Sequence, residues 1–348
     1  MKTAYIMAAA YLMTLCLDAA SSFAAAAPSA ATLKAKKEAE ANGYIFFADH
    51  EEIVSRAKKE GRVKIFSGQD TKSLKAITEA FKKKYPFIEV RAEGIDGTEI
   101  YQRMLQEMKA GLAKWDVNYV AFDFYNEYLP LQKKFDMLGM AQQGVLGMSP
   151  HMVDPVNRHI VALQSNIQVV AYNKEMIAPD KVPANWEDFL KPEFKDKKLA
   201  IDVRPKNVAA LVPAWGLEKT LEYGRKLAGQ NPVWLRGDAQ IVTYLMTGQF
   251  PIALGPNYKT IERIKPKDLK GVLGYKVVEP IPARISETEA VLARAENPHA
   301  ALLWLEFGTR SGRQEVLGKI DLAASIHNTR SGHGRLTQGE NIFLGAWG

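Results

Sequence analysis

Cysteine is almost missing from this chain of 348 residues: Cys16 is the only one, and it lies in a segment that reads as removable. Without further thiols there is no disulfide framework and no thiolate metal site, so the core alone must hold the fold. Long apolar runs are scarce as well. The run from Ala4 to Leu17 falls short of the ~20 residues a bilayer span needs. It follows Lys2 and precedes the small residues Ala19 to Ala27, and that order is the pattern of a secretory signal peptide over residues 1–27, which predicts export. Leu15, directly before Cys16, is not the small residue that lipid attachment would want. No stable membrane insertion is expected.

Signatures of catalysis are missing too. There is no G-x-x-x-x-G-K-[ST], no helix-opening G-x-G-x-x-G, no H-E-x-x-H and no G-x-S-x-G, which removes the usual marks of nucleotide, zinc-protease and serine-hydrolase chemistry. His50, His151, His159, His299, His327 and His333 are scattered along the chain, and no acidic pair is framed as in a glycosidase. Neither an enzyme nor a cofactor is expected; an exported enzyme with an unfamiliar site is the alternative of a different class. The formal net charge of +7 comes from 46 basic residues interspersed with 39 acidic ones, a mixture that argues for a small anionic partner rather than nucleic acid.

About 320 residues would remain after cleavage, more than one hydrophobic core usually serves, so two domains are expected. Residues 28–50 include a stretch rich in Ala, Lys and Glu with little to bury, which reads as a mobile or loosely docked leader. From Glu51 the pattern alternates: a helix to Glu60, a strand Val63 to Phe66, an amphipathic helix Ser73 to Lys84, a strand Ile88 to Ala92, Gly94 and Gly97, a helix Glu99 to Ala110, and a strand Val117 to Ala121 ending at Asp123. Such alternation gives an α/β fold with a mostly parallel sheet, in which ligands bind beyond the carboxyl ends of the strands.

Two strand-like runs, Arg158 to Leu163 and Gln168 to Tyr172, are split by Gln164-Ser165-Asn166 and followed by Asn173. Then come Pro183-Ala184-Asn185-Trp186-Glu187-Asp188-Phe189-Leu190, Pro192-Glu193-Phe194-Lys195-Asp196-Lys197, Gly248-Gln249-Phe250-Pro251-Ile252, Asn257-Tyr258 and the apolar helix Pro298 to Phe307. In this order, over roughly Glu51 to Asn328, these segments resemble extracellular solute-binding proteins of family 1, especially the ferric-iron branch. The resemblance implies a two-lobed type 2 periplasmic binding protein fold with a double-crossing hinge. It places lobe 1 at residues 51–163 and 280–348 and lobe 2 at 164–279, with the return crossing near Tyr275 to Ile281. It also implies a periplasmic, monomeric receptor without a cofactor that hands a solute to an ABC permease with its ATPase; a sensor subunit could share the fold.

The candidate ligand residues follow from that topology. Ser67, Gln69 and Thr71 lie in a loop that ends a strand and opens a helix, where backbone N–H groups suit an anion. Arg204, Lys206 and Asn207 follow the strand Leu199 to Val203, and an Arg fork matches a carboxylate or phosphate. Asn257, Tyr258 and Lys259 stand where the ferric-binding relatives carry two adjacent tyrosines; Lys259 replaces the second, and an ammonium repels a metal and offers it no oxygen. Tyr125, the crossing residues Gln164, Ser165 and Asn166, and Arg236 complete the set. The expected solute is a small carboxylate or phosphorylated organic anion, with no metal; ferric iron on Tyr258 is the alternative.

Overall fold

A computed structural model describes residues 27–94, 98–310, 326, 332–337 and 342–345. Residues 1–26 of the proposed signal segment, Cys16 among them, and also Gly97, His327 and Asn328, lie outside them.

The chain opens with α1 (Ala30–Ala41), capped by Ser29, whose hydroxyl accepts from the Thr32 amide at 3.0 Å. The leader is therefore a helix that docks: Thr32 and Ala39 are buried, and Phe46 and Phe47 behind it enter the core. The expectation of a loose leader erred because composition does not reveal a seat built elsewhere in the chain. Next come α2 (His50–Glu60), closed by Gly61 at φ 64°, and β1 (Arg62–Ser67). They lead to α3 (Thr71–Lys84), β2 (Glu89–Gly94), α4 (Thr98–Lys109), β3 (Val117–Tyr119), α5 (Tyr125–Tyr128) and α6 (Met137–Gln142). The long strand β4 (Ile160–Ile167) follows, then β5 (Val170–Asn173) and β6 (Leu199–Asp202). Short helices α7 (Lys206–Ala209) and α8 (Val212–Trp215) precede α9 (Leu217–Gly229), β7 (Val233–Leu235), α10 (Asp238–Met246), β8 (Ile252–Ala253), α11 (Tyr258–Ile264) and β9 (Leu273–Lys276). Last are β10 (Ile281–Val291), α12 (Pro298–Thr309), α13 (Gly332–Leu336) and β11 (Ile342–Gly345).

Two sheets result. The first runs β11-β10-β3-β1-β2, with β4 also paired to β10; the second runs β7-β6-β8-β5-β9. Within the first, β1 is parallel to β2 and β3, while β10 is antiparallel to β3 and β4. Within the second, β6 is parallel to β7 and β8, and β5 is antiparallel to β8 and β9. Each sheet has its own apolar core. Ile65, Ile77, Phe81 and Trp304 centre one, and Trp186, Phe189, Leu199 and Leu254 belong to the other; a side chain of this size contributes about 1.5–3 kcal/mol when fully buried.

The chain passes between the sheets twice. The first passage is at Gln168 and Val169, between β4 and β5, because β4 stays in the first sheet through Ile167. Gln164, Ser165 and Asn166 are thus ladder residues, opposite Glu287, Ile285 and Arg284, not the passage itself. The return passage joins β9 to β10 and is held by Trp186, whose indole donates to the Pro280 carbonyl at 2.9 Å. Two such adjacent strands make the hinge of this two-lobed fold.

Candidate solute-binding cleft

One cavity of about 480 Å³ lies against both lobes, lined by Gly68, Gln69, Asp70, Lys72 and Ser73 from the end of β1 and start of α3, Lys259 and Arg263 from α11, and Gln164, Asn166, Ser286 and Glu287 from the crossing strands. The topology explains this assembly. The β1–α3 loop lies beyond the carboxyl end of a parallel strand, where open α/β sheets leave a crevice, and α11 follows β8 in the other lobe. Lys259 and Arg263 are four residues apart on that helix, hence on one face.

Beneath the loop is a buried polar frame. Ser67 donates its hydroxyl to Glu289 at 2.6 Å and lies 3.3 Å from Glu287, while the Gly68 amide donates to Glu287 at 2.9 Å. The indole of Trp304 donates to the other Glu289 oxygen at 3.0 Å. Gly68 is required here: a Cβ would stand 2.5 Å from a Glu287 oxygen and 2.9 Å from the Tyr119 ring. Gly94, at the end of β2, is equally confined, since its Cβ would meet the Gln69 carbonyl oxygen at 2.5 Å. Asp70 caps α3 by accepting from the Lys72 and Ser73 amides at 3.0 Å each. Its partial burial opposes ionisation, but hydrogen bonds from Ser73 and Lys72 and the charge of Lys259 hold its carboxyl below the usual range. The expected anion seat at this helix start is therefore already taken by the chain's own carboxylates, Asp70 on the helix amides and Glu287 on Gly68.

Of the residues singled out in the sequence, Gln69, Gln164, Asn166 and Lys259 line the cavity. The others sit elsewhere. Ser67 lies under the loop in the frame just described, and Thr71 lines a separate groove with Leu74, Val90 and Gly94. Ser165 is buried in the β4–β10 ladder. Tyr125 is buried in lobe 1, donating to Asp154 and accepting from Asn157 at 3.1 Å. Arg204 forms a fork on Asp202, with contacts of 2.7 and 3.1 Å, and Lys206 reaches Asp238 at 3.0 Å and Asp202 at 3.6 Å. Burial opposes ionisation of Asp202, yet the hydrogen bonds from Arg204 and the charges of Lys206 and Arg204 hold its carboxyl below the usual range. These two cations, expected to grip a solute, are thus matched within the chain. Asn207 is buried and accepts from Gln168 at 3.2 Å, Arg236 is exposed between β7 and α10, and Asn257 caps α11 by accepting from the Lys259 amide at 2.9 Å.

Tyr258 packs edge-on against Tyr275 and His333, each ring centre 5.3 Å away. Burial first, then Glu262 and Tyr275, raise its phenol pKa. His333 is buried; burial and the nearby charge of Lys259 lower its pKa to about 4. Among the described residues no three of His, Cys, Asp and Glu come together as a metal site.

Sequence reasoning missed Asp70, Lys72, Arg263, Ser286 and Glu287. Arg263 could have been found, as it lies one helical turn from Lys259. Glu287 could not, since it joins Gly68 across 219 residues of chain.

Comparison with solved structures gives the same fold at low identity. The ferric iron-binding protein A of Mannheimia haemolytica in an open conformation is 18% identical, with a TM-score of 0.65, covering 81% of this chain and 92% of that one. Iron-bound HitA of Pseudomonas aeruginosa is 16% identical, with a TM-score of 0.55 and coverage of 78% and 88%. The Atu4243 GABA receptor is 15% identical, with a TM-score of 0.58 and coverage of 81% and 91%. No curated protein sequence matches significantly. The family model of the bacterial extracellular solute-binding proteins matches residues 124–331, more than half of the chain, and to that family this protein belongs.

Proposed function

We propose that this protein is the periplasmic receptor of an ABC importer, exported by residues 1–27 and monomeric, and that it captures a small solute with an anionic group between its lobes. The observation that carries this reading is the pair Lys259 and Arg263, presented from lobe 2 into a cavity whose opposite wall is the β1–α3 loop of lobe 1. The anionic group binds the ammonium and the guanidinium, while Gln69, Gln164 and Asn166 hydrogen-bond to the rest. Closure of the lobes around the solute then presents the shape that the permease reads, and no chemical step is involved.

The test is a thermal-shift screen of the chain from residue 28 against carboxylates, phosphonates, sugar phosphates, polyamines, ferric citrate and iron(III). A ligand that binds only the folded state raises the melting temperature. Stabilisation by anionic organic solutes, lost in Lys259→Met, is the expected result. Stabilisation by iron alone, reversed by a chelator, would overturn it in favour of the metal named for two of the structural neighbours.

A further inference from the structure

We infer that the solute carries two anionic groups, and that the second, apart from the one on Lys259 and Arg263, lies on the guanidinium of Arg284 in the floor of the cleft. The inference rests on the function proposed above and narrows it. Arg284 stands in β10 directly opposite Asn166 of β4, and residues so paired project from the same side of a sheet. Asn166 lines the cavity, as does Ser286, two residues along β10. Their neighbours Ile167 and Ala283 pack in an apolar core instead. Alternation along both strands thus turns Arg284 away from that core and onto the face that meets the cleft.

The charge of Arg284 is not matched within the described chain. Its Nε is buried without a hydrogen-bond partner, and among the described residues it forms no ion pair. The charges that act on it are those of Asp238 and Arg204, and both are engaged. Asp238 accepts from Lys206 at 3.0 Å on one oxygen and from the Asn257 amide at 3.2 Å on the other. Arg204 is turned to Asp202, which Lys206 also approaches at 3.6 Å. Arg204, Lys206 and Arg284 thus surround only two carboxylates, and one positive charge is left over. Burial acts against that charge, lowering the pKa of Arg284 more than the attraction of Asp238 raises it. Arginine keeps its proton regardless, and a buried cation without a partner is costly, so an anion from the solute is the group that offsets it.

A second observation points to a ligand on the same floor. The Gln164 Nε2 and the Ser286 Oγ are buried without a hydrogen-bond partner, and both residues line the cavity. Buried polar atoms are satisfied as a rule, and the oxygens of an anionic solute lying on this floor accept from them. The two cationic stations are also separate. Arg284 is beside Asp238, which holds the amide of Asn257, the cap of α11. Arg263 lies six residues further along that helix, about 9 Å at the rise of an α-helix. One carboxylate cannot serve both, whereas a solute with an anionic group at each end can. The cavity's carboxylates do not oppose this placement, since Asp70 and Glu287 stand with Lys72 at the lobe 1 end and Asp70 also feels the charge of Lys259.

Calorimetry with the chain from residue 28 tests the assignment. The probes are the dicarboxylates from malonate to pimelate and 3-phosphonopropionate, set against monocarboxylates of the same lengths, inorganic phosphate and 5-aminopentanoate. At least one two-ended anion is expected to bind about 30-fold or more tighter than every other probe, the worth of one charge-assisted contact. In Arg284→Met, which keeps the apolar stem, that margin should fall at least about tenfold while monocarboxylate affinity is unchanged. The unliganded variant should melt no lower than the wild type, because no partner within the chain is lost. A smaller margin, dicarboxylate affinity unmoved by Arg284→Met, or a lower melting temperature of the unliganded variant overturns the inference; a loss of anion binding in Lys259→Met then leaves the function proposed above standing. If no anion binds, or Lys259→Met binds every probe as the wild type does, both are overturned.

Discussion

Arg204 has the residue type and the strand-end position that anion recognition favours, and its surroundings give it another task. Its fork on Asp202, which is 2% exposed, neutralises a carboxylate that would otherwise be costly to bury. Arg204→Met should therefore lower stability by about 1–2 kcal/mol, reduced by the exposure of the arginine and by Lys206 nearby, and leave solute affinity within about threefold. Urea unfolding and calorimetry on the same variant would check it; a large loss of affinity at unchanged stability would return Arg204 to the site. Tyr258→Phe should likewise leave affinity within about threefold, because the ring packing against Tyr275 and His333 survives, whereas an iron receptor would lose its metal.

His333 makes a separate prediction. Its folded pKa of about 4 lies below the ordinary histidine value near 6.5, so the unfolded chain takes up a proton that the folded chain refuses between these values. Stability is thus complete above about pH 6.5 and declines as pH falls towards 4, by up to about 1.4 kcal/mol per pH unit. Asp70 and Asp202, held below the usual carboxylate range, withdraw their contribution only in more acid solution, as pH falls from about 4 downward. A melting-temperature profile should fall from pH 6.5, and His333→Phe should flatten that part while leaving the acid limb.

At the scale of elements, the β1–α3 loop is the part of the site that the sequence showed and the part it described wrongly. Strand β1 and the amphipathic helix α3 follow from the order Val63 to Phe66, Ser67 to Thr71 and Leu74-Ile77-Phe81, so the loop's place at a strand's carboxyl end was legible. Its electrostatics were not, because the carboxylate on the Gly68 amide comes from β10, and the register of β10 against β4 is shifted by irregularities between Ile285 and Thr288. A one-residue change of register decides which strand residue faces the cleft, and only pairing fixes it. The pairing of Lys206 with Asp238, which depends on α7 and α10 meeting, was hidden in the same way, whereas Arg204 and Asp202 stand two residues apart and their pairing is local. Gly94 tests how tightly the loop is held. Gly94→Ala puts a methyl group against the backbone oxygen of Gln69 at 2.5 Å, with no flexible side chain to yield, so it should cost about 1–3 kcal/mol and weaken solute binding by moving Gln69. Denaturation and titration of the variant would show both effects together; a neutral variant would mean the loop is free to shift.

For the whole molecule, the question is how two lobes joined by two strands respond to a small solute. Gln168-Val169 and residues 277–280 are the only described backbone that links the two sheets in sequence, while the cavity draws its charged groups from both sides of that link. A solute that binds the open and closed states equally shifts nothing, and a swing from 1% to 99% closed requires about a 10⁴-fold preference for the closed state. Single-lobe contacts cannot supply such a preference, because they are present in both states. Contacts from Lys259 and Arg263 on one side and the β1–α3 loop on the other can, since both sides reach one solute only when the lobes are together. With Cys16 as the sole cysteine, the chain from residue 28 has no native thiol, so Lys75→Cys on α3 and Lys267→Cys beyond α11, both exposed, can carry a pair of fluorophores outside the cleft. Saturating solute should raise transfer between them, and Lys259→Met should abolish the rise even at solute concentrations that restore occupancy. An unchanged signal in the wild-type pair at full occupancy would mean that the solute is held by one lobe, and the closure mechanism would have to be abandoned.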